Sequence, residues 1–296
     1  MVQSTRKVRI GLALGSGSAR GWSHVGVIRG LLQAGIEPDI VCGSSIGALV
    51  GAAYAAGEID RLEPWVRSLT RQGVMGLVDL KLSAGMIEGR KLVQYFRSQF
   101  DDPGIDKLPR AFACVATELD SGREVWLRDG SVIDAVRASI ALPGLFTPVQ
   151  RDGRLLVDGG LVNPVPVSLC RAMGADVVIA VDLNWDLVGR RTRVAAGPAR
   201  TARTRDRESL WSRLWPGSEQ PESLPMPSLL GVLTASLNIM QVRITNARLA
   251  GEPADVVIRP RVAGIGPLDY HRGEVAMVEG LRATEHALPL LREVLG

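Results

Sequence analysis

The sequence predicts an α/β fold on a mostly parallel sheet, and three observations carry that expectation. Short apolar runs of strand type alternate with segments of helical periodicity. One run, Val177-Val178-Ile179-Ala180-Val181, is apolar throughout, as in a parallel strand covered on both faces. Two early strand-to-helix junctions, after Leu14 and after Cys42, are made of glycine and serine.

The chain has 296 residues, enough for one large α/β domain, and its 46% hydrophobic and 22% charged content describes a globular protein. No stretch approaches the roughly 20 apolar residues that span a bilayer. Basic residues precede Val8–Leu14, but Arg9 and Gly11 interrupt that run and no cleavage site follows. It reads as a first strand, not a signal peptide. The three cysteines, Cys42, Cys114 and Cys170, are odd in number and lie in apolar surroundings. Buried free thiols, a cytoplasmic location and no metal site are expected. The net charge of +4 is uneven: between Arg190 and Arg213 eight arginines face only Asp206 and Glu208. The basicity belongs to one segment, so a nucleic-acid-binding core is not expected.

After the first strand, Gly15-Ser16-Gly17-Ser18-Ala19-Arg20-Gly21 forms a loop of small residues that aims backbone N–H groups at one point, an anion site. It lacks the third glycine of a dinucleotide fingerprint and the Gly-Lys-Ser/Thr of a Walker loop. A helix over 22–34 follows, with Trp22, Val25, Ile28, Leu31 and Leu32 as its apolar stripe and Gly35 as its stop. The second strand, 39–42, runs into Gly43-Ser44-Ser45-Ile46-Gly47, which has the G-x-S-x-G form of a nucleophile elbow. A small-residue helix over 46–56 comes next and directs its positive end at Ser45. Helices are expected near 59–69 and 92–100, a strand at 112–119 and a hairpin partner at 124–127. Ser131 caps a helix reaching Ser139. The apolar run Leu155-Leu156-Val157 ends in Asp158-Gly159-Gly160, an acid at a strand end in an open turn. Beyond the strand at 177–183, residues 184–226 lose all periodicity and read as a mobile loop or insert. A helix opening at Pro227 or Ser228 and running to Ile244, a strand at 256–258 and a closing helix over 273–295 complete the chain. The expected organisation is a single domain over 1–296. It comprises a core at 8–183, a flexible basic insert at about 186–226, and a C-terminal helical extension with one strand at 227–296.

A nucleophilic Ser45 needs a base within hydrogen-bond reach. The chain order Ser45, Asp158 or Asp182, His271 fits a hydrolase triad, whereas a direct Ser45–Asp158 pair needs no histidine. Spacing alone leaves both open. His24, just after the glycine-serine loop, reads as a packing residue, and His286 as solvated.

Taken together these residues resemble the patatin-like phospholipase family, in particular its bacterial members related to neuropathy target esterase. Three motifs match in order: Gly15 to Gly21 the oxyanion loop, Gly43 to Gly47 the nucleophile elbow, and Asp158-Gly159-Gly160 the Asp-Gly-Gly/Ala motif. Ala138-Ser139-Ile140-Ala141-Leu142-Pro143-Gly144 and Val162-Asn163-Pro164-Val165-Pro166 add to the likeness. The resemblance implies a three-layer α/β/α sandwich with a central, mostly parallel sheet. It implies a serine lipid acyl hydrolase, a phospholipase A or lysophospholipase, with a Ser45–Asp158 dyad and no cofactor. The oxyanion donors would be loop N–H groups, foremost those of Gly17 and Ser18, with Arg20 bracing the loop or anchoring an anionic headgroup. Ser16 and Ser18 depart from the consecutive glycines usual in the family. The expected substrate is a phospholipid or other acyl ester, its chain in a cleft near Gly73–Met86 and the helix over 229–244. Peripheral contact of the Arg190–Arg213 segment with an anionic membrane surface is a further expectation. Two other functions fit the same residues: a soluble carboxylesterase or thioesterase with the same dyad, or a non-catalytic phosphate- or nucleotide-binding regulator.

Overall fold

The computed structural model describes residues 7–76, 80–81, 86–87, 89–99, 101–188 and 229–296. The expected basic segment at Arg190–Arg213 and the opening of the helix after it, at Pro227 or Ser228, lie outside these residues.

In chain order the strands are β1 (Ile10–Leu14), β2 (Ile40–Ser44), β3 (Leu80–Lys81), β4 (Met86–Ile87), β5 (Ala111–Glu118), β6 (Glu124–Leu127), β7 (Val149–Arg151), β8 (Arg154–Asp158), β9 (Val177–Val181) and β10 (Val256–Ile258). The helices are α1 (Ser23–Gln33), α2 (Ile46–Ala55), α3 (Ile59–Ser68), α4 (Arg71–Gly76), α5 (Arg90–Gln99), α6 (Val132–Ser139), α7 (Val167–Ala172), α8 (Leu229–Gly251) and α9 (Gly273–Leu295). The expected first helix splits: Ser18–Trp22 winds as a tighter 3-10 turn before α1. The helix expected to run to Ile244 continues in α8 to Gly251. The short α7 has no counterpart among the sequence expectations.

The main sheet runs β10-β9-β1-β2-β5-β8-β7, with β6 also paired to β5, and β3-β4 form a separate small ladder. From β10 to β5 the neighbours are parallel, whereas β6, β7 and β8 enter antiparallel. Side-chain alternation sends each central strand into two cores. Leu12, Leu14, Val41, Phe112, Ile179 and Val181 face one, with α1, α2, α6 and α9. Ala13, Ile40, Cys42, Ala113, Val178 and Ala180 face the other, with α7. This is the three-layer sandwich, and its three cysteines are free and buried. The helix layer is tight: a Cβ on Gly26 of α1 would lie 1.8 Å from Met277 O of α9. Bare backbone there lets the closing helix seat against the first.

The register fixes the geometry of the site. Over Cys114–Thr117 one edge of β5 is taken by β6, so β2 and β8 share the other. Ser44 of β2 pairs with Val115 and Asp158 of β8 with Ala116, consecutive positions on β5. The two strands run toward each other along one edge and stop head to head, about one residue rise of ~3.3 Å apart. The residue leaving β2 is Ser45.

Candidate active site

Ser45 stands between β2 and α2 with φ 55° and ψ −125°, a conformation costly for any residue with a Cβ. Three things hold it there. Its N–H donates to Ser139 Oγ (3.0 Å), whose own hydroxyl donates to Val115 O (2.6 Å). Gly43, in β2, lies so close to Ala48 that a Cβ would come within 2.4 Å of its backbone, and a Cβ on Gly47 would come within 2.1 Å of Leu14 O. The elbow therefore presses flat onto β1, and the Ser45 hydroxyl projects from the sheet edge at the positive end of α2.

That hydroxyl donates to Asp158 Oδ2 at 2.5 Å across 113 residues of chain. The other carboxylate oxygen, Oδ1, accepts from Gly160 N–H at 2.7 Å. The Asp158 backbone is tied down as well, its N–H to Ala141 O and its carbonyl to the Thr117 hydroxyl. Gly159 sits against β5, where a Cβ would be 2.2 Å from Val115 O. Asp158 is 1% exposed, and burial pushes its carboxyl up to about 6 against the pull of the two hydrogen bonds. Such a group is charged at neutral pH yet is a stronger proton acceptor than an ordinary carboxylate.

The histidines are placed elsewhere. Buried His24 donates from Nε2 to Gly15 O at 2.7 Å, and burial holds it at about 4, so the ring is neutral. A carbonyl partner requires the proton on Nε2. His271 accepts from Arg71 Nε, and His286 bonds Arg282 O within α9. Asp182 accepts from the N–H of Asn184, two residues on. Among the described residues none of these groups reaches Ser45. No group of three or more His, Cys, Asp or Glu among the described residues is arranged to hold a metal ion.

The Gly15–Gly21 loop is held by its carbonyls. Gly15 O takes His24, Ser16 O takes Asn184 Nδ2 (3.3 Å) and Gly17 O takes Arg20 Nε (3.0 Å). In a trans peptide the N–H points opposite to the C=O, so these three side chains orient the N–H groups of Ser16, Gly17 and Ser18. Gly15 and Ser16 N–H are engaged with Val181 O and Pro164 O. Among the described residues no acceptor meets Gly17 or Ser18 N–H. Ser18 holds φ 51°, the left-handed region that glycine occupies freely, and both it and Tyr270 line the cavity at Ser45. Arg20 is 3% exposed and lowered by burial to about 10, with Asp186 as counter-charge. It braces the loop from inside and also donates to Asn238 of α8. Gly21 leaves no room for a Cβ beside Ile46. Asn184 donates in turn to Gln241 of α8 at 3.1 Å. Neither residue, nor Tyr270, stood out in the sequence. Ser139 did lie in a segment singled out there, without a role.

A family model described as "Patatin-like phospholipase" matches residues 12–171, a span holding the loop, the elbow and Asp158. The chain belongs to the patatin-like phospholipase family. It is 31% identical to an uncharacterized NTE family protein of Mycobacterium tuberculosis, over 97% of this chain and 93% of that one. It is 32% identical to "Lysophospholipase nte1" of Aspergillus fumigatus over 88% of this chain, spanning 17% of that protein. With mouse "Patatin-like phospholipase domain-containing protein 6" it shares 36% over 59% of this chain and 13% of that one. Membership makes it part of a family of lipid acyl hydrolases.

In this patatin-like domain Ser45 opens onto an apolar cavity of about 310 Å³. Ile46 and Leu49 of α2, Trp65 of α3, Phe96 of α5, Leu142 and Phe146 form much of its wall, and Ser18 and Tyr270 lie at its polar end. Val74 and Met75 belong to the segment expected to form a cleft. Among the described residues the helix from Leu229 is not part of the lining. Its Asn238 and Gln241 sit behind the glycine-serine loop instead. No described helix is long and apolar enough to cross a membrane.

Proposed function

We propose that this protein is a serine lipid acyl hydrolase of the phospholipase A or lysophospholipase type, with Ser45 as nucleophile and Asp158 as base. The observation that carries the reading is the 2.5 Å hydrogen bond from Ser45 Oγ to a buried carboxylate, at the polar end of an apolar cavity. Asp158 Oδ2 takes the Ser45 proton as Oγ bonds to the acyl carbonyl carbon. The carbonyl oxygen becomes an oxyanion and accepts from Gly17 and Ser18 N–H. Collapse expels the alcohol, which leaves with the proton held by Asp158. Water then attacks the acyl-enzyme, giving its proton to the same carboxylate, and the fatty acid leaves as Ser45 is reprotonated. Losing one preorganised oxyanion donor typically costs about 3 kcal/mol of transition-state stabilisation.

The elbow strain and the head-to-head strands support this assignment, because neither is needed for the sheet to form. A serine-directed fluorophosphonate probe tests it. The wild type is expected to label stoichiometrically and Ser45→Ala not at all. Undiminished labelling of Ser45→Ala refutes the nucleophile.

A further inference from the structure

A second apolar cavity, of about 260 Å³, lies beyond the one at Ser45. The two share a wall made by Leu49 of α2, Phe96 of α5 and Ile140 after α6. Along α2 the order is telling. Ser45 precedes the helix, Ile46 and Leu49 line the first cavity, and Leu49, Ala52, Ala53 and Ala56 line the second. Those positions follow the 3-and-4 spacing of one helix face. From Ile46 to Ala56 that face extends roughly 15 Å. The cavities are therefore placed end to end along α2, starting at the hydroxyl. The alanines are what leave the second one open, since larger side chains on that face would fill it. From the opposite side α6 presents Val132, Ile133 and Val136. The first cavity alone is at the small end of ligand sites, and the two together fall well inside the usual range of about 300–1,000 Å³.

We propose that the second cavity receives the distal part of the acyl chain being cleaved, so that the enzyme selects long-chain over short-chain acyl esters. The chain passes between Leu49, Phe96 and Ile140, and its far end lies among the small residues of α2. This rests on Ser45 being the nucleophile. The continuity of the two linings argues for the cleaved chain as occupant. A chain bonded to Ser45 Oγ and running along α2 meets the second cavity as its next apolar space.

The test compares p-nitrophenyl butyrate, octanoate and palmitate. In the wild type kcat/KM is expected to rise from butyrate to palmitate. A profile that peaks at butyrate overturns the proposal without any variant. Ala53→Phe and Ile133→Trp each fill the second cavity, from opposite walls and away from Ser45. Each is expected to lower the palmitate-to-butyrate ratio of kcat/KM at least tenfold, the butyrate rate in the same preparation reporting an intact Ser45. An unchanged ratio in both overturns the second cavity as an acyl site while leaving Ser45 in place. Absence of Ser45-dependent turnover of all three esters in the wild type instead overturns the hydrolase reading and this inference with it.

Discussion

Replacing Asp158 by asparagine separates the chemical role of this carboxyl from its effect on folding. The side chain is 1% exposed, and burial lifts it from the ordinary 3.8 to about 6. The folded protein therefore holds this proton more tightly than the unfolded chain does. Between about pH 4 and pH 6 the folded state binds the extra proton, so stability falls as pH rises through that window and stays low above it. At about 1.36 kcal/mol per pH unit, the penalty at neutral pH is about 3 kcal/mol. Asparagine has nearly the same shape and no charge. Its Oδ1 still accepts from Gly160 N–H and its Nδ2 donates to Ser45 Oγ, while the backbone bonds to Ala141 and Thr117 are untouched. Asp158→Asn is expected to be inactive and more stable than the wild type by about 2–3 kcal/mol at pH 7.5. The gain should shrink as pH falls through 6 and vanish only below about pH 3, where the carboxyl is protonated in both the folded and the unfolded wild type. Urea unfolding of both proteins at several pH values reads it directly. A variant no more stable than the wild type at pH 7.5, or a gap that does not close on acidification, would refute a charged, desolvated carboxylate at this position.

Two further expectations concern rate. If the charged form of Asp158 is the base, kcat/KM falls about tenfold per pH unit below about pH 6, with a single-proton slope. Activity that is flat down to pH 5 contradicts it. Asn184→Ala removes the donor to Ser16 O and so loosens the Gly17 N–H, without touching the cavity. The loss is expected in kcat, about tenfold with KM unchanged, as for an oxyanion donor displaced but not deleted. A raised KM with intact kcat points to binding instead.

Much of this protein is legible from local pattern. The apolar runs, the helical stripes and the glycine and proline stops locate nearly every major element. The G-x-S-x-G turn and the Asp-Gly-Gly turn single out the two residues that meet. Local sequence carries this information because side-chain direction repeats every two residues in a strand and about every 3.6 in a helix. Glycine also marks places where backbone must approach backbone, as Gly47 does at Leu14.

Pairing across distance is not written in those periods. A short strand such as Arg154–Asp158, with its apolar Leu155-Leu156-Val157, reads the same whether it joins the sheet parallel or antiparallel. Only the packed sheet sets β8 antiparallel on the edge of β5 that β2 vacates, so that Asp158 ends beside Ser45. The same holds for the groups around the glycine-serine loop. Asn184, Gln241 and Tyr270 come from three separate parts of the chain, and nothing in their own neighbourhoods marks them. The apolar cavity at Ser45 follows that rule too. The 73–86 segment and the helix over 229–244 were both expected beside it. Val74 and Met75 do line it, whereas among the described residues α2, α3 and α5 supply the helical wall, since a stripe states that a helix has an apolar face and not what that face will cover. Sequence alone determined which residues face inward and where the chain turns. The tertiary structure decided which inward faces touch, because that choice is made by the summed packing of segments more than a hundred residues apart.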